Sequence, residues 1–185
     1  MSWLLLILGI AIWWGAHLFK RVAPGARAAM GDPGKGVIAV ALVASIVFMV
    51  IGYRGTDFTY VWAPPSFLIH LNNLLMLIAI FLFSPAPKRG RLLYGMRHPM
   101  LIGFKTWAFA HLLVNGDLAS VVLFGALLAW AVVEMIVINR SEPGWQKPTE
   151  PGTYAKDGMF FVGSVILLAV IGYIHAWLGV WPFPS

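Results

Sequence analysis

The chain has 185 residues, 60% of them hydrophobic and only 11% charged, with a net charge of +6. Soluble domains average about 25% charged residues, so a water-soluble globular domain is excluded and one transmembrane domain over residues 1–185 is expected. Cysteine is absent, which removes disulfides, thiolate metal ligands and a cysteine nucleophile while leaving the compartment open.

Apolar runs long enough to cross a bilayer recur along the chain, and hydrocarbon forces each to satisfy its own backbone as a helix. The first, Ser2–Phe19, has no basic residue before its apolar core and no small-x-small cleavage site, so it reads as a retained helix and not a signal peptide. A turn-forming segment follows, VAPGARAAMGDPGKG, and this first loop carries Lys20, Arg21, Arg27 and Lys35. The second run is Val37–Tyr53, and only Arg54 marks the loop after it.

The third run, Phe67–Ser84, contains Asn72 and Asn73, which suit bonds between helices. Its exit loop, SPAPKRGR and beyond, is strongly basic, with Lys88, Arg89, Arg91 and Arg97. The fourth run is Pro99–Asn115 and the fifth Leu118–Asn139, with no basic residue between them. The longest polar piece, SEPGWQKPTEPGTYAKDG, belongs to a loop with Arg140, Lys147 and Lys156, and is long enough to cover a cytoplasmic site. The sixth run is Met159–Trp181, and its tail carries no basic residue.

The expected architecture is therefore an all-α, polytopic helical bundle of about six transmembrane helices. Basic residues collect in loops one, three and five, which makes those loops cytoplasmic and puts both termini on the far side. The same alternation explains the positive charge by topology and leaves no role for nucleic acid. Trp13, Trp14, Trp62, Trp177 and Trp181 fall near the expected interfaces, where indoles serve as anchors.

Ionisable groups inside hydrocarbon are costly and mark function. His17 lies three residues before Lys20, about 4–5 Å inside the boundary at the helical rise. If Lys105 snorkels to the cytoplasmic surface, His111 lies about 9 Å deep, close enough in level to His17 for helix tilt to bring the two together. If Lys105 is instead buried, His111 moves toward the far leaflet and the two histidines separate. Two buried imidazoles on separate helices suit the iron of a haem, whose faces bury well among aliphatic and aromatic side chains. The competing reading makes each a hydrogen-bonded packing residue. Glu134 is placed to orient an imidazole through its second ring nitrogen, to bond a neighbouring helix as the protonated acid, or to pair with Lys105. Arg97 and His98 form either an ordinary basic boundary or a site for carboxylates, and Pro99 starts a helix at no cost to its missing amide proton. His70 and His175 fall near the far surface and read as interfacial.

The segments GAHLFKRVAPGAR, RHPMLIGF and WAFAHLLVNGDLASVVLFGALLAW, in this order and spacing, resemble the NnrU family of bacterial membrane proteins over essentially the whole chain. That family is related to the plastid 15-cis-zeta-carotene isomerase. The resemblance implies a bacterial inner-membrane protein with periplasmic termini that binds haem b (iron protoporphyrin IX) through His17 and His111. Arg97, His98 and Lys105 would meet its propionates, and Glu134 would support a ligand. The resemblance further implies redox, sensing or isomerase-like chemistry linked to nitrite or nitric oxide metabolism, with a redox partner or a lipophilic substrate. In the isomerase a cysteine three positions before the second histidine takes part in a ligand change; the matching residue here is Ala108, which departs from that pattern. A second resemblance, of R-H-P at Arg97–Pro99 to S-adenosylmethionine-dependent membrane methyltransferases, implies a cofactor site at Arg97 and His98. The downstream INRSEPGW and PGTYAKDG match that pattern loosely.

Overall fold

Residues 1–184 are described by the computed structural model. In chain order they form α1 (Ser2–Val22), α2 (Pro24–Ala29), α3 (Pro33–Gly55), α4 (Leu68–Phe83), α5 (Ala86–Arg89), α6 (Pro99–Val114), α7 (Leu118–Ser141) and α8 (Tyr154–Trp177). Among the described residues the β pairing is a single isolated bridge, Tyr60 with Asp117. Four helices, α1, α3, α7 and α8, are long and apolar enough to cross a membrane. The other two apolar helices, α4 and α6, have 16 residues each. At the helical rise that is about 24 Å, short of the roughly 30 Å hydrocarbon core. The expected helical membrane bundle is what the chain forms.

The helices fall into two compact units, each drawing on two stretches of chain: Met1–Trp62 with Asp117–Ser141, and Ala63–Gly116 with Glu142–Ser185. In the first unit α1 and α3 run antiparallel along a seam of small residues. A Cβ on Gly9 would stand 2.7 Å from the Met49 amide nitrogen and 2.8 Å from the Ser45 carbonyl oxygen. One on Gly52 would fall onto the backbone of Leu6, a residue with no exposed surface. Between helices in lipid there is no hydrophobic driving force, so close backbone approach and dispersion hold the pair together. Helix α7 lies parallel to α1. Trp14 Nε1 donates to the Ala126 carbonyl at 3.2 Å, and further down the same pair of faces Arg21 meets Glu134.

In the second unit Gly103 of α6 packs on Ala79 and Leu82 of α4, and Phe81 of α4 meets Phe161 of α8 edge-on at 6.1 Å. Asp157, 3% exposed, accepts the amide protons of Arg91 and Leu92 at 2.7 and 3.0 Å. It thereby fastens the loop after α5 to the first turn of α8. The 142–153 loop lies along that same loop: Tyr94 donates its hydroxyl proton to the Pro148 carbonyl, and the Lys147 ammonium sits 4.4 Å from the Tyr94 ring centroid. Gly95, at φ +82, leaves the space that the Lys147 stem fills.

The expected spans differ from the helices chiefly at the last one. Helix α8 starts five residues before Met159 because the Thr153 side chain accepts from the Lys156 amide and the buried Asp157 secures the first turn. It ends at Trp177, ahead of Gly179 at φ +95. Lys156 is thus a helical residue. Helices α2 and α5 lie in segments that read as turns, because each begins at or just after a proline, where the missing amide proton is harmless. Trp177 and Trp181 are exposed. Trp13 and Trp14 are not anchors. They point into the α1–α7 contact.

Adding a methyl group at Gly9 or Gly52 should lower stability by about 1–3 kcal/mol through overpacking. Gly15→Ala, whose Cβ would meet nothing within 4 Å, should leave it unchanged or slightly raised. Thermal melting in detergent compares the three; equal melting points for all would contradict the seam.

Candidate functional site

His17 stands near the end of α1, and its setting is built from two helices. The Nδ1 atom lies 2.9 Å from the Trp13 carbonyl oxygen, one turn earlier in the same helix. A carbonyl only accepts, so Nδ1 carries the proton and Nε2 keeps its lone pair. The ring sits between two indoles, with centroids 4.3 Å from Trp13 and 4.4 Å from Trp130 of α7. The indoles meet each other edge-on, at 5.2 Å and 79°. One turn further along both helices, Arg21 donates to Glu134 Oε1 at 3.2 Å. An aromatic layer and an ionic layer therefore follow each other at i, i+4 on α1 and on α7 alike.

Glu134 is 6% exposed. Its partner is Arg21, and the orienting role expected of a carboxylate at His17 belongs to the Trp13 carbonyl. The second oxygen, Oε2, is buried with no hydrogen-bond partner among the described residues. A carboxylate half-satisfied in this way depends on its one guanidinium.

His111 of α6, in the second unit, repeats the local design. Its Nδ1 lies 2.9 Å from the Trp107 carbonyl oxygen, and its ring 4.9 Å from the Trp107 ring. Again the proton belongs on Nδ1 and the lone pair on Nε2. The Asn115 amide donates to the His111 carbonyl at 2.8 Å, closing the end of α6. His175 of α8 also bonds its own helix, Nδ1 to the Ile171 carbonyl at 2.8 Å, and it lies within electrostatic range of His111. That places His175 near a proposed site residue, where the sequence suggested an unconnected surface position. His70 is exposed.

The shared signal was present in the sequence as WWGAH and WAFAH, a tryptophan four residues before each histidine with alanine immediately before it. On a helix that spacing stacks indole and imidazole on one face. Reading the histidines by depth alone missed it.

The remaining candidates gather at the start of α6. His98 occupies the N-cap position and Pro99 follows it. The Arg97 guanidinium donates to the Glu142 carbonyl at 2.5 Å and lies 5.8 Å from the Trp145 ring centroid. Lys105 is half-buried, six residues and about 9 Å of helix from His111. Asp117, between α6 and α7, is a cap. Its Oδ1 accepts the Ser120 amide proton at 2.9 Å at the start of α7. Ser120 in turn bonds Tyr53 at 2.8 Å. His17 and Glu134 thus belong to the first unit, and Arg97, His98, Lys105 and His111 to the second. Among the described residues no three His, Asp or Glu side chains cluster as a metal-binding group.

The model of the NnrU family, described as NnrU protein, matches residues 5–182. The chain belongs to the NnrU family. No curated protein and no solved structure matches it. As an NnrU protein it carries the apolar helices described above over nearly its whole length.

The Arg21–Glu134 pair generates a prediction. Arg21→Leu alone should destabilise the protein by about 3 kcal/mol, because it leaves a buried carboxylate without its counter-charge. Arg21→Leu combined with Glu134→Leu should recover most of that loss. A double-mutant cycle of unfolding in detergent measures it, and a double variant as unstable as Arg21→Leu would contradict the pairing.

Proposed function

We propose that this NnrU-family membrane protein binds haem b through His17 and His111 and works in electron transfer or ligand sensing linked to nitrite or nitric oxide chemistry. The observation that carries the reading is the matched state of the two imidazoles. Each donates its Nδ1 proton to the carbonyl four residues back, which puts the metal-binding lone pair on Nε2. Each also lies against an indole, which supplies the apolar, polarisable surface that a porphyrin needs. A metal ion held by protein alone asks for three or more side chains, whereas a porphyrin brings four nitrogens and asks for two. Two Nδ1-protonated imidazoles on separate helices suit the second case.

The bound group would supply a one-electron couple. The chain's own part is to fix the two rings, exclude water and balance charge. Lys105, about 9 Å along α6 from His111, would serve the carboxylates of the group, whereas Arg97 and His98 stand about 20 Å from His111 at the start of the helix and would act on that group only through the loop that they anchor. Glu134, through Arg21, would set the charge one turn from His17. Two strong axial ligands favour electron transfer or sensing over chemistry on a substrate, which needs an open position.

Isomerase-like use is the weaker reading, since Ala108, fully buried on α6, gives no thiolate where the related enzyme has one. The methyltransferase reading requires Arg97 to be available, and it is already held by the Glu142 carbonyl and the Trp145 ring.

Protein purified from haem-replete cells and reduced with dithionite should show a Soret band with sharp α and β bands. His17→Ala and His111→Ala should each abolish or shift them, and His70→Ala should not. A colourless preparation, or spectra indifferent to both ligand substitutions, would refute the assignment.

A further inference from the structure

A cleft of about 340 Å³ opens where α1, α2 and α3 meet, and it is lined by the cations Lys20, Arg21, Arg27 and Lys35. Its deeper wall is apolar, formed by Ile38 and Leu42 of α3. From Lys35 to Leu42 the helix descends about 10 Å, so one wall passes from charged to aliphatic over the thickness of a lipid headgroup. Compensation of the charge is incomplete. Arg21 is engaged by Glu134, and Lys35 pairs with Asp32 at 3.1 Å in a fully wet contact that carries little energy. Lys20 and Arg27 have no carboxylate partner among the described residues.

One cation of the rim, Arg27, is held in place by the fold. Arg27 donates to the Gly31 carbonyl at 3.3 Å, and its guanidinium lies over Gly34, where a Cβ would stand 2.7 Å from a terminal nitrogen. Gly34 therefore seats Arg27 against the first turn of α3, whose positive dipole end adds to the field at the same corner. A cluster of cations above an aliphatic wall at a membrane boundary matches one class of ligand, the anionic phospholipid, with its phosphate on the rim and its first acyl carbons along Ile38 and Leu42.

We infer that the α1–α2–α3 cleft is a binding site for the headgroup of an anionic phospholipid, held through Lys20, Arg27 and Lys35. The site does not depend on the haem reading, although His17 lines the same cleft. An occupied cleft would neutralise the charge beside that histidine.

Full-length protein reconstituted with phosphatidylglycerol or with phosphatidylcholine and then delipidated in detergent provides the test, with retained lipid counted by native mass spectrometry. The wild type should keep phosphatidylglycerol in preference to phosphatidylcholine. Arg27→Gln combined with Lys35→Gln should weaken that retention about thirtyfold, as expected for two cations removed near a membrane surface. Lys88→Gln combined with Arg89→Gln removes the same charge from exposed positions on α5 and should change nothing. Equal losses in both double variants would overturn the proposal in favour of general surface charge. Displacement of the lipid by inorganic phosphate at millimolar concentration would overturn it in favour of a soluble anion. Retained phosphatidylglycerol with displaced haem bands in the Arg27/Lys35 variant would overturn it in favour of a propionate site, leaving the haem assignment intact.

Discussion

Hydrocarbon accepts no hydrogen bonds, and this constraint organises every polar side chain within the helices. A polar group there must find its partner in the protein. Here the partners are mostly on the same helix, four residues back: His17 with Trp13, His111 with Trp107, His175 with Ile171 and Ser164 with Phe160. Such local bonds need no second helix, so they form as each helix forms and fix the ring orientation before helices associate. Bonds between helices are fewer, and each one sets register. Trp14 to Ala126 and Arg21 to Glu134 hold α1 and α7 in parallel, and Tyr53 to Ser120 joins α3 to the start of α7.

The remaining cohesion comes from close approach. The α1–α3 seam works because Gly9 and Gly52 have no side chain, so Met49 and Leu6 occupy the space that a Cβ would claim. The outer faces of α3 and α8 are exposed valines, isoleucines and leucines. In water such a surface would aggregate; against acyl chains it costs nothing. Polar chemistry is thereby confined to a few interior stripes and to the loops.

Much of this was legible in the sequence because lipid makes helices obligatory and their lengths predictable. The six apolar runs, the alternation of basic loops and the start of α6 at Pro99 all follow from that. The start of α8 was hidden, since its first turn is polar and is held by Asp157, whose partners Arg91 and Leu92 are distant in sequence. Proline-rich text concealed α2 and α5. Depth alone makes Trp13 and Trp14 anchors, whereas the α7 partners Trp130 and Ala126 show that they face inward. Glu134 was recognised as a residue that matters, but a carboxylate's partner is a tertiary fact and Arg21 stood in what read as a loop. The histidines themselves stood out by polarity. What made them a matched pair, the tryptophan one turn before each, was visible as a spacing and lacked meaning until the rings were seen stacked.

Helices α4 and α6 have one more consequence. At 16 residues each they fall several ångströms short of an average bilayer interior. Lipids around them must shorten their chains, tilt or admit headgroups more deeply, each at a fraction of a kcal/mol per Å. Any such thinning would be local to α4 and α6, since α8 of the same unit has 24 residues and reaches across a full bilayer interior. Around the shorter pair it would bring headgroups closer to Lys105 than its apolar neighbours suggest.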